Sequence, residues 1–394
     1  MRDKSITLYC NWNVYIDRNG NIWLPSVHAQ YIRALEKIKF SNISLISKVS
    51  LEKTPQQDFC IEKEKLTVIS IPFFKSYFSS ILKLPLILKS FIVAAKKKND
   101  FLYIRTYEPF IYFLVLLFKL ITPKTILHMH YVADPKSAIF SNASSNNLVK
   151  ILRYALFLPD YYLTNLASLF CKLTSNGPIP IRNTPFFVRR RIKEVIESAI
   201  LESDINSITP TRNTNDNIVN LLYVGYIRPS KGIDLLVKSI EKLHFEYDVK
   251  NFNVTIVGDG EYLENIKNKI SNKKIARYFS FTGYIPFSTK LFNIYSNSDI
   301  FINVSPSETG PRVLLEAGIF GCYLISTNVG YAPRLINKNG ELIDINNVEQ
   351  LTLSIKNAIE NISLIRNSNE IKLSNEMLKK YTTEDFFLEV LGSK

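Results

Sequence analysis

DIFINVSPSETGPRVLLEAG, residues 299–318, sets a short apolar run against a Gly-Pro pair and two glutamates, Glu308 and Glu316. DIFINV (299–304) is β-rich and almost continuously apolar, as a strand buried on both faces is. Pro311 suits the first position of a helix, where its missing N–H costs nothing. The stretch therefore reads strand, loop, helix. The free amides of Arg312 and Val313 then point out of the helix start and, with the helix dipole, form an anion site. Gly310 permits close approach of a ligand to the backbone. Glu308 precedes the helix, whereas Glu316 lies about one and a half turns in, where it can accept from hydroxyls farther along a ligand. An anion flanked by hydroxyl-rich groups describes a nucleotide-sugar: ribose, diphosphate, hexose. Taken singly, the two glutamates also fit a capping residue and a helix-surface residue.

A second strand-loop-helix shifts that balance. YVGYIRPSKGIDLL (223–236) places Arg228 and Lys231 at a helix entrance beside Gly225 and Gly232. Basic side chains there neutralise a diphosphate leaving group. The chain has no D-x-D triplet, so no metal is expected and the charge falls to Arg228, Lys231 and the helix at Pro311. VGDGEYL (257–263) puts Gly258 and Gly260 directly after a strand, without the G-x-G-x-x-G of a dinucleotide fold.

Working outward, β-rich runs alternate with helix-length segments through the C-terminal half. That alternation predicts a parallel sheet with helices on both faces. The N-terminal half repeats it in SITLYC (5–10), NISLIS (42–47), LTVIS (66–70), FLYIR (101–105) and TILHMH (125–130). The polar stretch 203–217 reads as a linker. The expected organisation is an N-terminal acceptor-binding domain (1–204), a linker (205–217), a C-terminal donor domain (218–370) and a terminal helix segment (371–394) packing back toward the N-terminal domain. Both domains are read as α/β, Rossmann-like and doubly wound, with ligands at the carboxyl ends of their strands, across a cleft.

The composition sets bounds. With 394 residues, 46% hydrophobic and 21% charged, the chain is globular and long enough for two domains. Its four cysteines have no paired spacing, which argues for a reducing cytosol and against a disulfide framework. MRDKSITLYCNW shows no apolar signal-peptide core, so none is expected. Net charge is +14, of which residues 1–210 carry +13, with 28 lysines and arginines against 15 acids. An anionic partner for that half follows. No aromatic RNA-reading motif accompanies the charge, so a nucleic acid is not expected. FFKSYFSSILKLPLILKSFIVAAKKK (73–98) mixes apolar residues with spaced lysines, as a segment at an anionic membrane surface does; a core helix with a solvated lysine face reads equally well.

Together these stretches resemble glycosyltransferase family 4, of the GT-B fold. The resemblance is best over 219–345, where five blocks follow in order and the E-x7-E element, Glu308 to Glu316, is the most informative. It implies that Glu316 holds the ribose hydroxyls and Glu308 the donor sugar, with Thr309, Gly310, Arg312 and Val313 contacting sugar and phosphate. Lys231 would bind the diphosphate, and Gly225, Tyr226, Gly258, Gly260 and Tyr284 would line the nucleotide site. Such enzymes are usually retaining and metal-independent. The sequence departs from the family at Tyr226, where arginine is usual and Arg228 stands two residues later. It departs again at Tyr331, usually glycine, and at Arg334, usually acidic.

ILHMHYVADP (126–135) resembles the family's strand ending in histidine. His128 and His130 face one side of that strand, and one is expected to reach a donor-sugar or acceptor hydroxyl, His130 being nearer the strand end. No third residue has metal-ligand spacing with them. Asp17, Gly20 and Asn21 in the loop 11–25, and Arg105 and Glu108 in RTYEP (105–109), are candidate acceptor contacts. The resulting expectation is a cytoplasmic glycosyltransferase at the inner-membrane face. It would transfer a hexose-type sugar from a UDP- or GDP-linked donor to a glycan or lipid-linked oligosaccharide in bacterial surface-polysaccharide synthesis (capsule, O-antigen or exopolysaccharide). No tightly bound cofactor is expected, and no oligomeric state is read. A sugar-nucleotide epimerase of GT-B architecture and a non-catalytic scaffold are the alternatives.

Overall fold

A computed structural model describes residues 4–10, 12–74, 76–132, 135–140, 146–208, 217–271 and 273–392. The chain forms two compact units: Met1–Ala199 together with Thr383–Lys394, and Ile200–Thr382. It therefore passes between them twice, after Ala199 and after Thr382. The first passage lies ahead of the expected linker at 205–217, most of which (209–216) is outside the described residues. Residues Glu202–Asn206 are a short helix.

In the first unit the strands are β1 (Lys4–Tyr9), β2 (Val14–Ile16), β3 (Ile22–Leu24), β4 (Phe40–Ser50), β5 (Phe59–Ile61), β6 (Thr67–Ile71), β7 (Phe101–Thr106), β8 (Ile126–Tyr131), β9 (Lys172–Asn176) and β10 (Lys193–Val195). The main sheet runs β6-β4-β1-β7-β8-β9-β10, all parallel. Its middle strands are buried on both faces: Ile6 and Leu8 of β1 lie on one, and Leu102 and Ile104 of β7 with Leu127 and Met129 of β8 on the other. The loop read at 11–25 is largely a β-hairpin, β2 and β3 pairing antiparallel. Asp17 closes its turn, accepting from the amides of Asn19 and Asn21 (2.9 Å each) and from Trp23 Nε1 (3.0 Å). The Trp23 bond chiefly holds the Asp17 carboxyl below its usual range. Gly20 supplies the positive φ of +85° that the turn needs. Asp17, Gly20 and Asn21, expected at an acceptor, thus build a turn.

The second unit has β11 (Val219–Val224), β12 (Phe252–Val257), β13 (Phe279–Gly283), β14 (Ile300–Asn303), β15 (Tyr323–Thr327) and β16 (Gly340–Ile343). All pair in parallel, in the order β13-β12-β11-β14-β15-β16. This is the doubly wound order, which reverses between β11 and β14. Helices Ile233–Phe245 and Val348–Glu360 pack on one face through Leu236, Ile240, Leu243, Leu351 and Ile355. Arg366, nearly buried, holds Asp299 at 3.0 Å with two nitrogens, a bidentate pair that ties the Ile362–Asn367 helix to the start of β14.

The terminal segment 371–394 divides. Helix Asn369–Glu376 and the turn Met377–Lys380 pack against helix Arg312–Ile319 of the second unit. Helix Thr383–Val390 belongs to the first, where Lys37 reaches Glu384 at 3.1 Å and Phe387 lies edge-on to Tyr31. Among the described residues no helix is long and apolar enough to cross a membrane.

Candidate active site

The crevice rule for open α/β sheets points to the carboxyl ends of β11 and β14, where the strand order reverses. The loops that follow those strands are 225–232 and 304–311. Gly232 takes φ +72°, and a Cβ there would come within 2.3 Å of the Val304 carbonyl oxygen. Only glycine lets the two loops close so tightly. The consequence is local: Lys231, the residue before it, lands beside Glu308, and Lys231 Nζ contacts Glu308 Oε1. Both side chains remain about one-fifth exposed. The two residues read separately from the sequence as phosphate and sugar contacts form one ion pair.

The Glu308 loop is braced from beneath. Thr327 donates to the Ser305 carbonyl (2.6 Å), Asn303 to Ser326 Oγ (2.9 Å) and Ser305 to the Ser307 carbonyl (3.1 Å). Gly330, at φ +54°, backs directly onto the Glu308 and Thr309 carbonyls. These small buried polar residues are not legible in the sequence, because single serines, threonines and asparagines carry no periodic signal.

Helix Arg312–Ile319 begins one residue later than expected, with Pro311 as its cap. The Arg312 amide is turned back onto the Gly310 carbonyl (2.9 Å) rather than outward. The Val313 amide makes no hydrogen bond with a described residue, leaving one free donor where two were expected. Glu316 is buried, and Tyr295 donates to its Oε2 at 2.9 Å. Burial holds its carboxyl above the usual range, against the nearby Arg312 charge and the Tyr295 bond. Tyr295 is a further site residue the sequence did not single out.

The nucleotide-side loops are laced by backbone bonds: Gly225 N to Val257 O (3.0 Å), Ile227 N to Asp259 O (2.9 Å) and Gly258 N to Gly283 O (2.9 Å). Gly258 backs onto the Gly225 carbonyl and Gly260 onto the backbone of Ile227. Arg228 is exposed, as are Tyr226 and Tyr284. The Tyr226 phenol is held above its usual range chiefly by a hydrogen bond to Glu261. Tyr331 stands at φ −95°, which any residue adopts, and its ring is buried. The departure from glycine is therefore absorbed by the interior.

The first unit treats its candidates differently. His128 Nε2 and His130 Nδ1 both meet Thr174 Oγ1 at 2.8 Å, with Tyr103 stacked beside both rings. Phe386 of the terminal helix packs edge-on to His130 at 5.3 Å. Burial pushes both imidazoles down to about 3, so both are neutral near pH 7. Glu197, also buried, accepts from Tyr31 (2.5 Å) and pairs with Arg105. The two histidines and Arg105 thus share one interior network with Thr174 and Glu197, the Arg105–Glu197 charges paired as burial requires, while His128 Nδ1 and His130 Nε2 have no hydrogen-bond partner among the described residues. Glu108 fronts a cavity in this unit.

Residues 204–373 match the model of the family Glycosyl transferases group 1. That segment is less than half of the chain and contains Lys231, Glu308 and Glu316. An uncharacterized glycosyltransferase of Haemophilus influenzae is 28% identical over 172 residues, 43% of this chain and 45% of that protein. The alpha-monoglucosyldiacylglycerol synthase of Streptococcus pneumoniae is 31% identical over 140 residues, 35% and 31% of the two chains. The chain spans under half the length of these curated relatives. The crystal structure of Anabaena HepE in complex with UDP-glucose superposes with a TM-score of 0.63 at 15% identity, covering 99% of this chain and 100% of that one. The fold is GT-B, two Rossmann-like parallel-sheet units.

Proposed function

We propose that the protein is a retaining glycosyltransferase that moves a hexose-type sugar from a nucleoside diphosphate to a hydroxyl of a lipid-linked glycan, in bacterial surface-polysaccharide synthesis. The observation that carries this reading is the Lys231–Glu308 pair at the strand-order reversal, beside the one free amide of a helix start. In the reaction the bond from the sugar's anomeric carbon to phosphate breaks, its electron pair going to the diphosphate. The acceptor oxygen bonds that carbon on the same face, and its proton leaves with the phosphate. Lys231, Arg228 and the Val313 amide stabilise the developing charge, which is greater in the transition state than in the bound donor. Glu308 then accepts from a sugar hydroxyl and Glu316 lies toward the ribose. The UDP-glucose in the HepE structure supports a nucleotide-sugar donor, which we take to be UDP- or GDP-linked.

A donor panel tests this. Wild-type protein incubated with UDP- and GDP-sugars should slowly release free nucleotide from at least one. Interconversion of the sugar without release would replace the reading with an epimerase. Absence of nucleotide binding throughout would leave a non-catalytic scaffold.

The lipid-linked acceptor rests on the first unit's surface. Helices Leu84–Lys96, Ile111–Ile121 and Asn147–Ala167 are neighbours. Leu86 and Val93 of the first helix, Leu116 and Leu120 of the second and Leu148, Ile151, Leu152 and Leu156 of the third are exposed. Leu82, before the first helix, is 85% exposed. Lys83, Lys89 and Arg153 lie among them. Scattered leucines need no explanation, but a set this large on adjacent helices does. With the basic charge of this half, it fits the cytoplasmic face of an anionic membrane. The protein should co-sediment with vesicles containing phosphatidylglycerol and not with purely zwitterionic ones. Binding should weaken with salt. The triple substitution L148Q/I151Q/L152Q should weaken it by about tenfold or more. Equal binding to both vesicle types, or none, would refute the membrane contact.

A further inference from the structure

The Glu108 carboxyl is buried, yet it accepts no hydrogen bond from any described residue. It borders a cavity of about 200 Å³ in the first unit, lined by Lys48, Tyr77, Tyr107, Phe157 and Phe74. The place is set by topology. Lys48 ends the parallel pairing of β4 with β6, and Glu108 follows the end of β7. Strand β1 lies between β4 and β7, and the order of the sheet reverses there. This is the first unit's own crevice position.

The walls specify a ligand class. Phe157 stands edge-on to Tyr77 at 5.4 Å and to Tyr107 at 6.2 Å, giving an apolar wall. Lys48 sits over the Phe74 ring at 4.6 Å and supplies donors. Burial raises the Glu108 carboxyl to about 7, with Lys48 acting against it. A free cation is disfavoured by Lys48, and a free anion by Glu108 when ionised. A neutral ring bearing hydroxyls satisfies both groups, since each hydroxyl donates and accepts. The volume is that of one such ring, well below the range for a larger ligand.

We propose that this cavity binds a single neutral sugar ring of the acceptor, with Glu108 accepting from one ring hydroxyl, Lys48 donating to another, and the aromatic wall lying against its C–H face. The assignment deepens the glycosyltransferase reading and rests on it for the word acceptor. Lys48, which the sequence did not single out, joins Glu108 in this role.

Saturation-transfer NMR on the intact chain tests it, using methyl glycosides of glucose, galactose, mannose and N-acetylglucosamine as probes. At least one glycoside should show transfer to its ring protons. Glu108→Gln and Lys48→Met should each reduce that signal fivefold or more. UDP binding, measured on the same samples, should be unchanged, because no nucleotide contact is altered. Once a transfer assay exists, Glu108→Gln should raise the acceptor KM and leave the donor KM alone. Glycoside signals that persist in both variants, or their absence from wild-type protein that binds nucleotide, overturn the pocket. Failure of wild-type protein to bind any nucleotide would instead overturn the parent reading, while glycoside binding lost in the two variants would still support a sugar pocket.

Discussion

Lys231→Ala is expected to lower sugar transfer by about 10²–10³-fold, the usual cost of removing one preorganised charge-stabilising donor. Glu308→Ala should do the same. Neither should unfold the protein: each side chain is about one-fifth exposed, and such pairs contribute only about 0–1 kcal/mol to stability. Thermal midpoints within a few degrees of wild type, with turnover lost, are the anticipated outcome. The pairing adds a sharper contrast. Without donor, Lys231 is neutralised by Glu308, so a diphosphate must compete for it. In Glu308→Gln that competitor is gone. Free nucleoside diphosphate should therefore bind several-fold more tightly while transfer still falls. Near-normal turnover in Lys231→Ala, or unchanged nucleotide affinity in Glu308→Gln, would show that the pair does not serve the diphosphate.

The second large effect concerns stability. Phe386, Phe387, Val390 and Leu391 of the terminal segment are all buried in the first unit. At about 1.5–3 kcal/mol each, removing residues 383–394 deletes roughly 6–12 kcal/mol of apolar burial. A whole domain is stable by about 5–15 kcal/mol. The shortened chain should therefore hold its first unit unfolded or molten. Phe387→Ala alone should cost about 3–5 kcal/mol, because the ring packs between Tyr31 (5.9 Å) and Tyr103 (5.7 Å). Both tryptophans, Trp12 and Trp23, lie in the first unit, so intrinsic fluorescence reports on it alone. Nucleotide binding reports on the second. Loss of the tryptophan transition with binding retained is the expected pattern; an unchanged transition would contradict it.

The second unit was legible because its parallel strands are buried on both faces and read as continuous apolar runs. NLLYVG, NVTIVG and DIFINV each became a strand, and the loops after them carry Lys231 and Glu308. The contacts that make those residues a pair span 77 positions and depend on Gly232 meeting Val304, which no local pattern encodes. Tyr295 reaching Glu316 is the same kind of long-range fact. In the first unit, strands of three residues such as Val14–Ile16 and Ile22–Leu24 are too short for alternation to register. His128 and His130 were placed on the right strand, but their burial depends on Thr174 and on Phe386, far along the chain. Strand position told where they sit and not what covers them.

The return of helix Thr383–Val390 to the first unit has a consequence for synthesis on the ribosome. Residues 4–199 emerge first, but the side chains that close over Tyr31, Tyr103 and His130 emerge only after all of residues 200–382. At about 5–20 residues per second, that interval is roughly ten to forty seconds. Throughout it the nascent first unit carries an uncovered aromatic patch, while the second can complete its own sheet. Later-made residues thus finish an earlier-made domain, and a stop in translation between residues 200 and 382 would leave the first unit without the aromatic side chains that cover it.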